Sequence, residues 1–156
     1  MSGFRRGRRL ALDVGSVRVG VASCDPDGIL ATPLEVVRRD DDAQAVERIR
    51  ALVEEHDALE LVAGHPRSLD GGDLAAVGAA EEFLRAVAAQ VDVPIRLVDE
   101  RFTTVQAHGV LQAAGRNSRQ RREIVDSVAA VLILQTALDT EKRSGAPAGT
   151  TFDEEE

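Results

Sequence analysis

One cysteine, Cys24, stands among 156 residues, which excludes an internal disulfide framework and fits a reducing compartment. No pattern of His and carboxylate near it suggests an activated thiol, so it reads as a small buried or half-buried strand residue. The longest apolar run, VAAVLIL at 128–134, is too short to cross a bilayer. The N-terminal arginines precede no hydrophobic signal region of the usual form, and the expectation is a cytoplasmic protein. There is no internal repeat, no linker and no heptad zipper, so the chain reads as one domain whose oligomeric state is left open. Its length suffices for a core, and 44% hydrophobic with 29% charged residues is the composition of an ordinary globular protein.

Acids outnumber bases, giving a formal net charge of −8, which at first weighs against a nucleic-acid partner. The distribution weakens that objection, because half of the excess lies between Asp139 and Glu156. Arginines cluster at Arg5, Arg6, Arg8 and Arg9, and again at Arg116, Arg119, Arg121 and Arg122. Either cluster can meet phosphates or simply form a solvated charged face.

Alternation predicts a strand over 9–16, with Leu10, Leu12 and Val14 on one face and Ala11, Asp13 and Gly15 on the other. A second strand follows over 17–23, and the turn Asp25-Pro26-Asp27-Gly28 leads into a third over about 29–38. Asp40, Asp41 and Asp42 favour a helix start, and Val46, Ile49, Leu52 and Val53 recur at helical spacing, with His56 near the end. A buried strand over 59–64, the loop HPRSLDGG, a helix capped by Asp73 and a strand over 95–98 come next. Thr103 and Gln106 form a capping-box pair for a helix to about Ala114. The last helix is expected from Asn117 or Ser118 to about Asp139, with Asp126, Ala129, Ala130 and Ile133 on one face. The sequence GAPAGTTFDEEE lacks periodicity and reads as disordered.

Three carboxylates stand out: Asp13 in LALDVGSVRVGVA, Glu100 in LVDERFTTVQAH and Asp126 in RREIVDSVAAVLILQ. Each lies in or beside apolar sequence, where an unpaired carboxylate is costly and is usually paired, protonated or metal-bound. Brought together by the fold, they make a hard-cation site without Cys or His. All-oxygen ligation of that kind suits Mg²⁺ or Mn²⁺ and phosphoryl chemistry.

The combination of DVGSVRVGVA, GHPRSLDGG, DERFTTVQA and DSVAAVLILQTALD resembles the bacterial YqgF family, known as pre-16S rRNA nucleases or Holliday junction resolvases. The resemblance covers about 10–139. It implies a ribonuclease H-like α/β fold whose five-stranded mixed sheet has its first three strands antiparallel and is flanked by helices. The expected organisation is an Arg-rich arm over 1–9, one nuclease domain over 10–140 and an acidic, disordered tail over 141–156. By the same resemblance Asp13, Glu100 and Asp126 correspond to the family's three catalytic acids, while Arg18 and Arg101 match its two motif arginines. The family's loop commonly reads Gly-Leu-Pro, but here it is Gly64-His65-Pro66. A histidine at the rim of the site has either a substrate contact or no role beyond the loop.

In the implied mechanism Asp13 bridges two divalent ions about 4 Å apart, with Glu100 and Asp126 completing their coordination. Arg18 and Arg101 either steady phosphate charge or pair with these acids. Asp99 is expected to be structural, Ser68 and Asp70 to shape their loop, and His108 to lie on a helix surface. Asp-x-Gly before a glycine-containing hairpin also resembles the phosphate-binding turn of actin-like kinases, but those need two such domains and this chain has one such hairpin. A non-catalytic ribosome-assembly or nucleic-acid-binding factor is the other alternative, and the presence of all three acids speaks for an enzyme. The expected partners are nucleic acid, precursor 16S rRNA before four-way DNA, and ribosomal particles. Symmetric junction cutting needs two active sites, whereas 5′-end trimming does not.

Overall fold

The computed structural model describes residues 4–64, 74–98 and 118–152, with only the helical backbone described for 74–77 and 118–127. Strand β1 (Leu10–Val14) forms an antiparallel hairpin with β2 (Arg18–Cys24), and β3 (Ala31–Arg38) adds to the other side of β2. The chain then crosses through helix α1 (Asp42–Glu55) to β4 (Leu61–Gly64), which pairs parallel with β1. Helix α2 (Leu74–Gln90) leads to β5 (Ile95–Val98), parallel to β4. The long helix α3 (Ser118–Ser144) follows, and β6 (Thr150–Thr151) closes the sheet against β5. The strand order is β3-β2-β1-β4-β5-β6.

Side-chain alternation assigns each face of the sheet its own helical layer. Leu10, Leu12, Val19 and Val21 join Ile49 and Leu52 of α1 and Phe83, Leu84 and Val87 of α2 in one buried cluster. Ala11, Ala22, Ala31 and Val62, which are small or β-branched, let α3 pack closely on the other face through Ala130, Ile133, Leu134, Ala137 and Leu138. Cys24 is buried there too, as expected of an inert strand residue, and burial pushes its thiol pKa up. Asp41 caps α1, its carboxylate accepting from the backbone N–H groups of Ala43 and Gln44, and His56 is the C-cap.

Three expectations are corrected at the ends of the chain. Among the described residues the sheet has six strands, not five, because β6 pairs with β5. Helix α3 continues to Ser144 rather than stopping near Asp139, and the stretch expected to be a disordered tail is packed as far as Phe152, whose N–H donates to the Ile95 carbonyl at 2.7 Å. Arg96 holds the returning chain by donating to the Ala148 and Gly149 carbonyls.

The arginine-rich arm is likewise part of the fold. Arg5 donates to Glu60 at 3.1 Å and to Glu141 at 2.7 Å, while Arg9, only 1% exposed, donates to Glu141 at 2.9 Å. Arg9 and Lys142 lie against the Phe4 ring. Buried guanidinium charge is tolerable here because Glu60 and Glu141 are themselves buried partners. The terminal apolar contacts alone would not announce this arrangement in the sequence.

Candidate functional site

The parallel strands β1, β4 and β5 point their carboxyl ends toward one edge of the sheet, the edge at which open α/β sheets bind ligands. Asp13 is the penultimate residue of β1 and is half-buried. By alternation it projects on the same face as Ala11, the face covered by α3. Its partner across the hairpin is Gly20, which offers no side chain beside the carboxylate.

The chain beyond Asp13 is fixed by two sets of hydrogen bonds. Gly15 N–H donates to the Arg18 carbonyl at 2.9 Å, closing the β1–β2 turn. A Cβ at position 15 would stand 2.8 Å from that same carbonyl oxygen, so glycine is required by the close approach. From the other side Arg39 Nη1 donates to the Gly15 carbonyl at 2.8 Å. The Arg39 guanidinium is itself held by two bonds to Asp42 and lies 4.6 Å from the centroid of the Phe83 ring. Those contacts make Arg39 a positioning residue for the end of β1. Sequence reasoning missed it, since Arg38-Arg39 looks like an ordinary polar strand end and only tertiary contact separates the two.

Arg18 opens β2, directly opposite Arg38 on β3. It is two residues from Gly20, so it shares Asp13's face of the sheet.

Helix α3 approaches from the other layer. Its C-terminal half is anchored at the far end of the sheet, where Glu141 receives Arg9, Lys142 donates to the Gly28 carbonyl and Gln135 accepts from Ala31 N–H. Its N-terminal half therefore runs toward the edge that carries Asp13. Asp126 belongs to α3 and precedes buried Ala129 and Ala130 by one helical turn, a spacing that puts its position on the sheet-facing stripe. The Asp126 side chain is outside the description.

Glu100, Arg101 and His65 lie outside the described residues, as do Ser68, Asp70, Asp99, His108 and the helix expected from Thr103. Strand β5 ends at Val98, paired with Gly64 at the end of β4. Among the described residues no three His, Cys, Asp or Glu side chains form a metal-holding group. Asp13 alone of the expected triad is fully described. The donor set of three carboxylates, hard oxygens without sulfur or imidazole, is the chemistry that Mg²⁺ and Mn²⁺ accept.

Among the described residues no helix is long and apolar enough to cross a membrane. Three arginines of the N-terminal cluster do not face the Asp13 edge: Arg5 and Arg9 are engaged by Glu60 and Glu141, and Arg6 by Asp27, at the opposite end of the strands.

Residues 7–140 match a family model described as RuvX, Holliday junction resolvase. A Streptomyces coelicolor protein named "Putative pre-16S rRNA nuclease" is 53% identical over 147 residues, covering 94% of this chain and 88% of the relative. A protein of the same name from Clavibacter michiganensis is 50% identical, covering 94% of this chain and 91% of its own length. Among solved structures, Thermus thermophilus RuvC in complex with a Holliday junction substrate superposes with a TM-score of 0.57 at 18% identity, covering 94% of this chain and 99% of RuvC. A second Thermus thermophilus RuvC structure gives a TM-score of 0.55 at 15% identity, covering 93% and 99%. At that identity the likeness is one of fold, and it agrees with the ribonuclease H-like architecture expected from the motifs.

Proposed function

Because this chain belongs to the RuvX family and is a nuclease, a hydrolase of phosphodiester bonds, we propose that Asp13, Glu100 and Asp126 form its catalytic centre and that its substrate is the 5′ region of precursor 16S rRNA. One observation supports the site: Asp13 stands at the carboxyl edge of a central strand, on the face that α3 crosses, and Asp126 precedes the buried Ala129 and Ala130 of that helix by one turn. Glu100 follows β5 by two residues and completes the set in this reading.

The three carboxylates would hold Mg²⁺ or Mn²⁺, two ions in the reading adopted here, and the bound cations would supply an activated water and charge stabilisation at phosphorus. The protein's own contribution is rigidity. Asp13 pairs with Gly20 of β2, the preceding Leu12 pairs with Ala63 of β4, and the turn beyond is clamped by Arg39, which is the kind of fixed backbone a catalytic carboxylate needs. In this reading Arg18, on the same face, receives phosphate charge, and Arg101 and His65 are further contacts. The acids make the surroundings of the site negative, so arginine is needed to offset repulsion of a polyanionic substrate.

The rRNA assignment rests on relatives near half identity that carry that name; cytoplasmic action on ribosomal particles follows from it. Depletion of the protein in its source cell, followed by sequencing of 16S 5′ ends, tests the assignment. Extended 5′ ends are expected. Normal ends, together with cleavage of four-way DNA by the purified protein, would transfer the assignment to branched DNA.

A further inference from the structure

We infer that Arg18 and Arg38 form a phosphate-binding track that leads the substrate strand from the Asp13 site across β2 and off the sheet at β3. This deepens the nuclease reading above and rests on it. The register supplies the geometry. Asp13 pairs with Gly20, Gly20 pairs with Val36, and Arg18 pairs with Arg38. Directly paired residues of antiparallel strands project on the same face, and residues two apart on one strand do so as well. Asp13, Arg18 and Arg38 thus share one face and stand on three adjacent strands.

With strands about 4.8 Å apart and a rise of about 3.4 Å per residue, the Arg18 and Arg38 Cα atoms lie about 8 and about 12 Å from that of Asp13. Both lie beyond the end of β1, at the rim of the sheet. Among the described residues β3 is an edge of the sheet, so no described strand stands in the way of a chain leaving in that direction.

Arg38 is open to such a ligand. Its side chain is 57% exposed, and its ion pair is with Asp40, two residues away and 74% exposed. A pair of that kind is worth little and is screened by salt, so a phosphate can displace it. Its chain neighbour Arg39 is committed in the opposite layer to Asp42, Gly15 and Phe83. The two consecutive arginines therefore divide their work, one building the turn beside Asp13 and the other presenting charge to solvent. The ligand class is the phosphodiester backbone flanking the scissile bond, recognised by charge and fork geometry without reading bases.

The test uses Asp13→Asn as a binding background, with dissociation constants for a single-stranded RNA measured across a salt series with and without Arg38→Gln. The track predicts about tenfold weaker binding from Arg38→Gln, equivalent to one charged contact. It also predicts a salt slope shallower by about 0.7, the value for one phosphate contact on a single strand. Arg38→Lys should restore the slope, because it keeps the charge. Arg6→Gln removes a still more exposed arginine at the far end of the sheet and should leave the slope unchanged. If Asp13→Asn abolishes cleavage while Arg38→Gln alters neither affinity nor slope, the track is overturned and the nuclease site stands. If Asp13→Asn still cleaves but Arg38→Gln weakens binding as stated, the catalytic assignment fails and the phosphate contact stands.

Discussion

Arg39 donates to the carbonyl of Gly15 at 2.8 Å, tying the start of the β3–α1 connection to the turn that follows Asp13. The same guanidinium makes a fork to Asp42 and lies over Phe83, so the first turn of α1, the α2 layer and the end of β1 meet at one side chain. That convergence explains how the end of β1 is held although it borders an exposed turn.

Replacing Arg39 should therefore harm both fold and catalysis. Arg39→Ala removes charged hydrogen bonds and a ring contact, and a loss of about 2 kcal/mol in unfolding free energy is expected from urea titration. The kcat should fall while the affinity for RNA holds, since Arg39 does not face the substrate side. Arg39→Lys keeps the charge but not the fork and should recover only part of either effect.

Glu141 gives the protein a definite acid sensitivity. Burial pushes its carboxyl up, but hydrogen bonds from the Arg5 side chain and backbone N–H, with the charges of Arg9 and Arg5, bring it down to about 2 from an ordinary value of 4.5. A depressed folded-state pKa contributes stability that is present above the unfolded value and is lost as pH falls through the folded one. Melting temperatures should thus decline between about pH 4.5 and pH 2, and Glu141→Gln should flatten that decline. The same variant leaves the buried Arg9 short of its partner, at a cost of about 3–5 kcal/mol at neutral pH.

The C-terminal return is structural, and Gly149 is its most sensitive point. It adopts a φ of +69°, and a Cβ there would run into the carbonyl oxygen of Leu97. Gly149→Ala should detach β6 and release the acceptors that Arg96 uses, lowering stability by about 1–3 kcal/mol in a denaturant titration. Hydrogen exchange should increase at Phe152, whose N–H is held by Ile95.

The sequence made the main architecture readable because its signals were local. Alternation in LALDV and RVGVASC defined β1 and β2, and apolar spacing in α1 matched the buried residues Val46, Ile49, Leu52 and Val53. What escaped was set by tertiary contact. A two-residue strand of threonines next to glycine and proline has no periodicity, and Arg5 and Arg9 look solvated until Glu60 and Glu141 are seen beside them. Helix α3 outran its expected end because Glu141 and Lys142 resemble the start of a polar tail, yet each has a partner in the body of the protein. At the site, Asp13 and the helical position of Asp126 follow from pattern, whereas Arg39 and the shared face of Arg18 and Arg38 follow only from contact and register.

The carboxylate site itself is tested by measuring cleavage of an RNA spanning the 16S 5′ end, with Mg²⁺ or Mn²⁺ titrated into metal-free wild type, Asp13→Asn, Glu100→Gln and Asp126→Asn. Without metal no cleavage is expected, and the cation should restore it in the wild type. Each variant should lose at least about a hundredfold in cleavage, with circular dichroism unchanged. Undiminished cleavage by Asp13→Asn or Asp126→Asn at saturating metal would contradict a carboxylate-held metal site.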